Sequence, residues 1–524
     1  MVWILKNQSF YFAFASIGAV LFYLIFGTGL HGDDYSVIRY QSLSTFLTLT
    51  PKNLGLAIFG IPTYLSFWWA YPALGHDHQW VYDLIKWITH LASFLMSWRF
   101  FSIFLNSERA LSAAVIFILF PLHETTTYWY MTAPYVFWPG VIMFSYYLFF
   151  IDKIKSGLIV GFLGAFSGYL SPPYVFGLGI IWFFRREYRK GFLFIFPGLL
   201  YIFYYFSIKY FYPFSEKRIN SDLDATLFAK GMLMQVAGTL DSFLGPSAFI
   251  KLYYSAASIT LSSLFIAASI LVIAWRFVKG WVFIADVEDN LIGLKPLLIG
   301  ALTVLLLSLA MFALTGMYVP SPFNLGNRSL VFGSLLGAVL LASMPINRKN
   351  ILLLWLIVVL PVFGLSDHWK AWNHEQTRVL ENISRHDGLR ALSEADLLIV
   401  TGHIYSKLGP YSHIEFFNMP WVVSSIFKDF ASVKHAVALT QTVKFDRSDE
   451  LIDSKSGERY SLNRNIYIYD SENNALTSAT SQDISRLIMN RPTEIRHWVQ
   501  LAKGTIVESA IVALSPRLNY LFVN

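Results

Sequence analysis

Three short runs hold the residues best suited to chemistry. The first is His31-Gly32-Asp33-Asp34-Tyr35, directly after a long apolar stretch. Two adjacent carboxylates at the end of such a stretch lose hydration and repel each other, which suits one of them to general-base work at neutral pH. The same pair would equally well cap a following helix, because Asp is favoured at helix N-termini. The second run is Phe120-Pro121-Leu122-His123-Glu124, followed by Tyr128-Trp129-Tyr130 and Tyr135. Tryptophan and tyrosine gather at membrane interfaces in any case, but their faces also stack on sugars and isoprenoid chains. His123 by itself reads as a packed interfacial residue. Glu124 is more informative, since an isolated carboxylate at that depth needs a partner. The third run is Asn327-Arg328-Ser329, where a guanidinium leads an apolar helix and can grip a phosphate with two parallel hydrogen bonds. Arg328 could instead snorkel to lipid headgroups. Lys217 and Arg218 are weaker candidates for the same phosphate.

The elements that position these residues follow from composition. Hydrophobic residues make up 55% of the 524 and charged residues only 14%, with a mean hydropathy of +0.50. Soluble domains carry about 25% charged residues, so lipid must solvate much of this chain. The net charge of +7 points to orientation in a membrane and not to nucleic acid, because Lys and Arg gather in short loops between apolar runs. Cysteine is absent, which excludes disulfides, thiolate metal sites and cysteine nucleophiles.

Apolar runs place eleven crossings: Phe10–Leu30, Val81–Leu105, Ala110–Leu122, Tyr135–Ile151, Leu158–Leu170, Tyr174–Phe184, Phe192–Phe211, Ser255–Trp275, Pro296–Met317, Leu330–Met344 and Ile351–Leu365. Ile58–Tyr71 is apolar but short and bounded by prolines, so it reads as an interfacial or re-entrant segment within the amphipathic first outer loop, 31–80. Even-numbered crossings end beside cations such as Arg99, Lys153, Arg185, Arg276 and Arg348, whereas Asp33, Asp34, Asp77 and Glu124 fall on the other side. The expected orientation therefore has the N-terminus in the cytoplasm. Residues 1–366 form the membrane part. Residues 367–524 change to a mixed, charged composition with a helical start, His368–Ile383, and strand-like runs Leu397–Thr401 and Asn465–Tyr469. They are expected to fold as a small α/β or α+β domain on the outer side.

The order of these features resembles the GT-C glycosyltransferases, multispanning enzymes that use lipid-phosphate-linked sugars. The stretch LFPLHETTTYWYMTAPYVFWPGVIMFSYYLFF is similar to the third-to-fourth helix region of the protein O-mannosyltransferase-like branch. YLSPPYVFGLGIIWFF resembles its next helix pair, NRSLVFGSLLGAVLLA its arginine-led late helix, and DHWKAWNHEQTRVLENI its post-membrane helix. The Asp33-Asp34-Tyr35 run also resembles the bacterial GtrII-type O-antigen glucosyltransferases. The resemblance covers roughly the first 380 residues. This chain departs from the branch at Ser171-Pro172-Pro173, where a Lys-Glu pair is usual, and at Asn327, where Glu precedes the arginine.

The resemblance implies an inner (plasma) membrane enzyme working on the outer face, with a polyprenyl-phosphate-linked hexose or pentose as donor. The acceptor would be a cell-envelope glycan, lipid or protein. Asp33 or Asp34 would deprotonate the acceptor, Glu124 and His123 would orient the acceptor or the base, and Arg328, alone or with Lys217 or Arg218, would stabilise the departing phosphate. No nucleotide or nucleic acid is expected as partner. No metal is required, although Asp33, Asp34 and Glu124 offer hard oxygen ligands for a divalent cation. A lipid-linked oligosaccharide polymerase or ligase would share the substrate and the outer-face site. A transporter or flippase would instead call for ionisable groups deep in the membrane and an inverted repeat.

Overall fold

The computed structural model describes residues 2–40, 65–211, 224–280, 292–315, 319–345, 347–447, 449–454 and 456–522. Lys217 and Arg218 lie outside the described residues, as do residues 58–64 of the expected interfacial segment. The chain divides into two compact units. The first comprises Met1–Gly29 and Leu43–His368, and the second Leu30–Ser42 and Trp369–Asn524. The sequence reading assigned residues 31–80 to the membrane part. The structure instead puts Leu30–Ser42 with the C-terminal unit, because Tyr35 and Asp33 find their partners there.

The first unit is helical. Among the described residues, four helices are long and apolar enough to cross a membrane: Tyr130–Phe150, Tyr188–Phe211, Leu294–Thr315 and Arg348–Arg385. A fifth span is reached if Pro246–Ala257 and Leu261–Arg276, bent by 110° from each other, count as one. This is fewer than the eleven crossings expected. One reason is length: the apolar helices Ile154–Ala165, Ser171–Phe184 and Gly326–Ala342 have 10–17 residues each, short of the ~20 a crossing needs. A second is polarity, since the helix Gln79–Phe101 carries Asp83, Lys86 and His90 on its buried side. The apolar side chains on the outside fit lipid contact. On Tyr188–Phe211, Phe203 is 72% exposed and Phe211 71%, surfaces that water would not favour.

Local sequence explains where several of these helices begin. The side chains of Asn106, Asp224 and Asn347 accept hydrogen bonds from Arg109 N, Leu227 N and Asn350 N, each three residues on, at 3.1, 2.7 and 2.9 Å. Those are helix N-caps, and they satisfy backbone donors that have no intrahelical partner. Close packing sets the neighbours. A Cβ on Gly177 would stand 2.7 Å from the backbone nitrogen of Val304, so only glycine lets Ser171–Phe184 lie this tightly on Leu294–Thr315. Small residues at such contacts are how helices associate where hydrophobic burial gives no drive. The interior is strongly aromatic: Tyr146 stacks on Trp182 at 4.6 Å and meets Phe194 edge-on at 5.6 Å.

The second unit is α/β. Its main sheet has the order β4-β1-β8-β9, with β1 (Leu397–Thr401) parallel to both β4 (Ala436–Ala438) and β8 (Ile466–Asp470). β9 (Ala475–Ala479) closes one edge antiparallel to β8. A hairpin, β2 (Tyr405–Leu408) and β3 (Tyr411–Glu415), and a meander of β5 (Val443–Arg447), β6 (Glu450–Asp453) and β7 (Arg459–Ser461) complete it. β1 reads Leu-Leu-Ile-Val-Thr, the continuous apolar run of a strand covered on both faces. Leu397, Ile399, Val437, Leu451, Ile466 and Ile484 form the core beside it. The helix Pro420–Ala431 joins β3 to β4. It starts on a proline and ends on Ser432 in the left-handed conformation, φ +60°.

Candidate functional site

The acidic pair is resolved into two different roles within the second unit. Asp33 and Asp34 open the helix Asp33–Tyr40. Asp34 is fully buried, and its Oδ2 accepts the backbone N–H of His31 at 2.8 Å. Its carboxylate closes the turn through Gly32, whose φ is +47°. Asp33 is half-buried. Its Oδ1 accepts the indole N–H of Trp421 at 2.6 Å. Trp421 is the second residue of the helix that Pro420 begins, so the start of that helix fixes the indole. A hydrogen bond to an ionised acceptor is short and strong.

Around this pair the second unit gathers tryptophan and histidine. The ring of His31 stands edge-on to Trp369 at 4.6 Å, and Trp369 meets His413 at 6.3 Å. His31 Nδ1 lies 2.9 Å from the amide of Gln376. The amide oxygen is best placed to accept from both His31 Nδ1 and Trp372 Nε1, the latter at 2.7 Å. Trp372 leads on to His403, at 5.9 Å between ring centres.

His403 sits at the carboxyl end of β1, the side on which parallel sheets bind ligands. Its backbone is left-handed, φ +43°, following Gly402 at +77°. Its Nδ1 lies 2.9 Å from Ser471 Oγ and its Nε2 2.9 Å from Glu375 Oε1. The connectivity is that of a hydrolase relay, yet Ser471 is fully buried and gives its hydrogen to the carbonyl oxygen of Thr401, at 2.8 Å. Ser471 therefore holds the ring and is not poised to attack.

The first unit holds the other sequence candidates. Glu124 is buried, and its Oε1 accepts from Lys251 Nζ at 2.7 Å and from Asn327 Nδ2 at 2.9 Å. Thr125 donates to the side-chain oxygen of Asn327. Lys251 also lies over the ring of Phe323, 5.2 Å from its centre. Glu124 stands at the start of a one-turn helix, Thr125–Tyr128. At the other end of that turn, Lys86 donates to Tyr128 O at 2.8 Å and pairs with Asp83 at 2.8 Å. Asp83 in turn accepts the backbone N–H of Gly27 at 2.8 Å and of Gly29 at 3.0 Å. Gly29 has φ +61°, a conformation that disfavours any side chain. Two buried ion pairs thus clamp one short turn and pin the loop that follows the first helix.

His123 is fully buried, with Nδ1 2.6 Å from Thr126 Oγ1 and Nε2 3.0 Å from Phe117 O. Both ring nitrogens are engaged inside the protein. Arg328 is half-buried on the turn Asn324–Leu330, directly after the anchored Asn327 and before the helix Val331–Ala342. Asp33 and Asp34 belong to the second unit, whereas His123, Glu124 and Arg328 belong to the first. Among the described residues no group of three or more His, Asp or Glu is arranged to hold a metal ion.

Sequence reasoning missed Lys251, Asp83, Trp421 and the Trp372–His403–Glu375 group. Lys251 and Asp83 were findable, because a lone charge inside an apolar run requires a partner. Trp421 carries no local signal, since its partner lies 388 residues away. No protein-family model matches the chain, and no curated protein matches it either.

Proposed function

We propose that this chain is an integral membrane glycosyltransferase of the GT-C kind, with eleven crossings and the N-terminus in the cytoplasm. It moves a hexosyl or pentosyl unit from a polyprenyl-phosphate donor to a cell-envelope glycan, lipid or protein on the outer face of the inner membrane. The observation that carries this reading is Asp33: a half-buried carboxylate, held by the indole of Trp421, next to a buried twin that serves the turn. A carboxylate beside aromatic faces suits stacking a sugar and taking a proton from its hydroxyl.

In this mechanism Asp33 accepts the proton of the acceptor hydroxyl. The hydroxyl oxygen attacks the anomeric carbon, the bond from that carbon to the phosphate oxygen breaks, and the electron pair leaves on the polyprenyl phosphate. Inversion at the anomeric carbon follows from the single displacement. Arg328, with Lys217 or Arg218, stabilises the negative charge on the departing phosphate. The Glu124–Lys251–Asn327 network holds the turn on which Arg328 stands, and His123 holds the turn Thr125–Tyr128 through Thr126.

Buried ion pairs are also what a lipid transporter or flippase would use. Here Asp83 and Lys86 lie in the first two turns of Gln79–Phe101 and hold backbone groups of Gly27, Gly29 and Tyr128, which favours a fixed scaffold over a moving charge relay. The test uses the full-length protein in vesicles with a radiolabelled polyprenyl-phosphate sugar and a crude envelope acceptor. A glycosyltransferase releases polyprenyl phosphate as label enters the acceptor. A flippase moves intact labelled lipid between leaflets with no bond cleaved.

A further inference from the structure

The end of the second unit is built unlike the rest of it. The helix Ile506–Leu514 reads Ile-Val-Glu-Ser-Ala-Ile-Val-Ala-Leu, and none of its side chains is buried. Ile506 is 87% exposed and Leu514 83%. In the helix Pro420–Ala431 of the same unit, by contrast, Val422, Val423, Ile426 and Phe427 are all buried. An apolar helix left in water needs a reason.

The helix is well formed. Thr505 caps it by accepting the backbone N–H of Val507 at 3.2 Å. Its single charged side chain, Glu508, reaches back to the backbone N–H of Gly504 at 2.5 Å. That contact ties the carboxylate to the helix N-terminus, away from the outer face. Ile506, Ala510, Ala513 and Leu514 follow at i, i+4, i+7 and i+8, so they share one face of the helix, and all four are exposed. The short turns Trp498–Ala502 and Pro516–Phe522 pack beside the helix and support it. On the N-terminal side Lys503 is exposed, and Arg517 follows in the sequence on the C-terminal side.

Length and charge together select the occupant. Nine residues rise about 13 Å, less than half of the ~30 Å hydrocarbon core, so the helix cannot cross a bilayer. An apolar face with the exposed cation Lys503 just before its first turn fits the boundary between headgroups and acyl chains, where a cation meets anionic lipid and apolar side chains enter the first few ångströms of the acyl region. The bilayer is also always at hand, because the chain that carries this helix contains helices long and apolar enough to span one. We propose that Ile506–Leu514 is an interfacial anchor that seats the second unit on the lipid surface. Ile506, Ala510 and Leu514 face the acyl boundary, and Lys503 faces anionic headgroups. This proposal is independent of the glycosyltransferase reading.

The absence of native cysteine makes the test direct. Single cysteines at Ile506, Ala510 and Leu514 carry a spin label in the full-length protein, reconstituted in vesicles of phosphatidylcholine with phosphatidylglycerol. Glu472→Cys, on an exposed turn of the second unit, serves as the aqueous control. Collision with oxygen should exceed collision with a water-soluble nickel chelate at all three helix positions, and the order should reverse at the control. Lys503→Glu, or vesicles without phosphatidylglycerol, should raise nickel access at the helix. Nickel access equal to the control at all three positions would overturn the anchor. Protection from both reagents would also overturn it, by assigning the face to protein, and dipolar broadening would then mark a second copy. No response to Lys503→Glu or to lipid charge would overturn the headgroup contact.

Discussion

The indole nitrogen of Trp421 donates to Asp33 Oδ1 at 2.6 Å, joining the start of one helix to the start of another across 388 residues of sequence. Trp421→Phe keeps a ring and removes the donor. A hydrogen bond to a charged group is worth about 1.5–3 kcal/mol, and partial exposure places this one at the low end. Transfer by Trp421→Phe at saturating donor should fall about tenfold, with a normal elution profile in detergent. An unchanged rate would remove Trp421 from the orientation of Asp33.

The twin carboxylates should separate by phenotype. Asp34→Ala leaves the buried backbone N–H of His31 without its acceptor, a loss of about 1–3 kcal/mol. Thermal unfolding of the detergent-solubilised protein should shift down further for Asp34→Ala, whose contact is fully buried, than for Asp33→Ala, which loses only the partly exposed contact with Trp421. Equal shifts would mean that both carboxylates serve the turn.

Lys251 and Glu124 are buried together, so removing one partner strands a charge. Lys251→Met should cost about 3–5 kcal/mol, seen as poor yield and a lowered unfolding midpoint. Glu124→Gln combined with Lys251→Met should recover most of the loss, because no unpaired charge remains. A double variant as unstable as the single would show that packing, and not charge, is what the pair supplies.

Arg328 should behave as a phosphate ligand. Arg328→Lys keeps the charge and loses the planar fork, and should be impaired less than Arg328→Ala. The alanine variant should lose about ten- to a hundredfold of transfer, on the basis of one charge-assisted contact. A rise in KM for the lipid donor would place the contact in the ground state, and a fall in kcat would place it at bond breaking. Unchanged kinetics would return Arg328 to a snorkelling role and move the phosphate site towards Lys217 and Arg218.

How far the sequence could be read depended on the range of the interaction. β1 was legible because a run such as Leu397–Thr401 has few alternatives once it is bounded by polar residues. The composition changes near residue 366 in the sequence, and one boundary of the compact units falls after His368. Glu124 announced its need for a partner, and Lys251 is that partner. The asymmetry between Asp33 and Asp34 was not legible, since it is set by a helix that arrives from position 420. The membership of Leu30–Ser42 in the C-terminal unit was hidden for the same reason. The number of crossings was less legible, because hydropathy registers apolar runs of 12 to 17 residues as readily as the four or five helices that reach spanning length among the described residues.

Asp33→Asn provides the most direct measurement of the proposed chemistry. Asparagine keeps the shape and can still accept from Trp421, but it cannot take a proton. Purified wild-type and variant proteins, reconstituted with a radiolabelled polyprenyl-phosphate sugar and envelope acceptor, are compared for label transferred and polyprenyl phosphate released. The wild type should transfer sugar and release polyprenyl phosphate in equal amounts, and Asp33→Asn should retain its unfolding midpoint while transferring essentially nothing. Transfer by Asp33→Asn at the wild-type rate would contradict the role of Asp33 as base. A wild-type protein that cleaves none of the lipid donors tested, while moving them across the bilayer, would contradict glycosyl transfer itself.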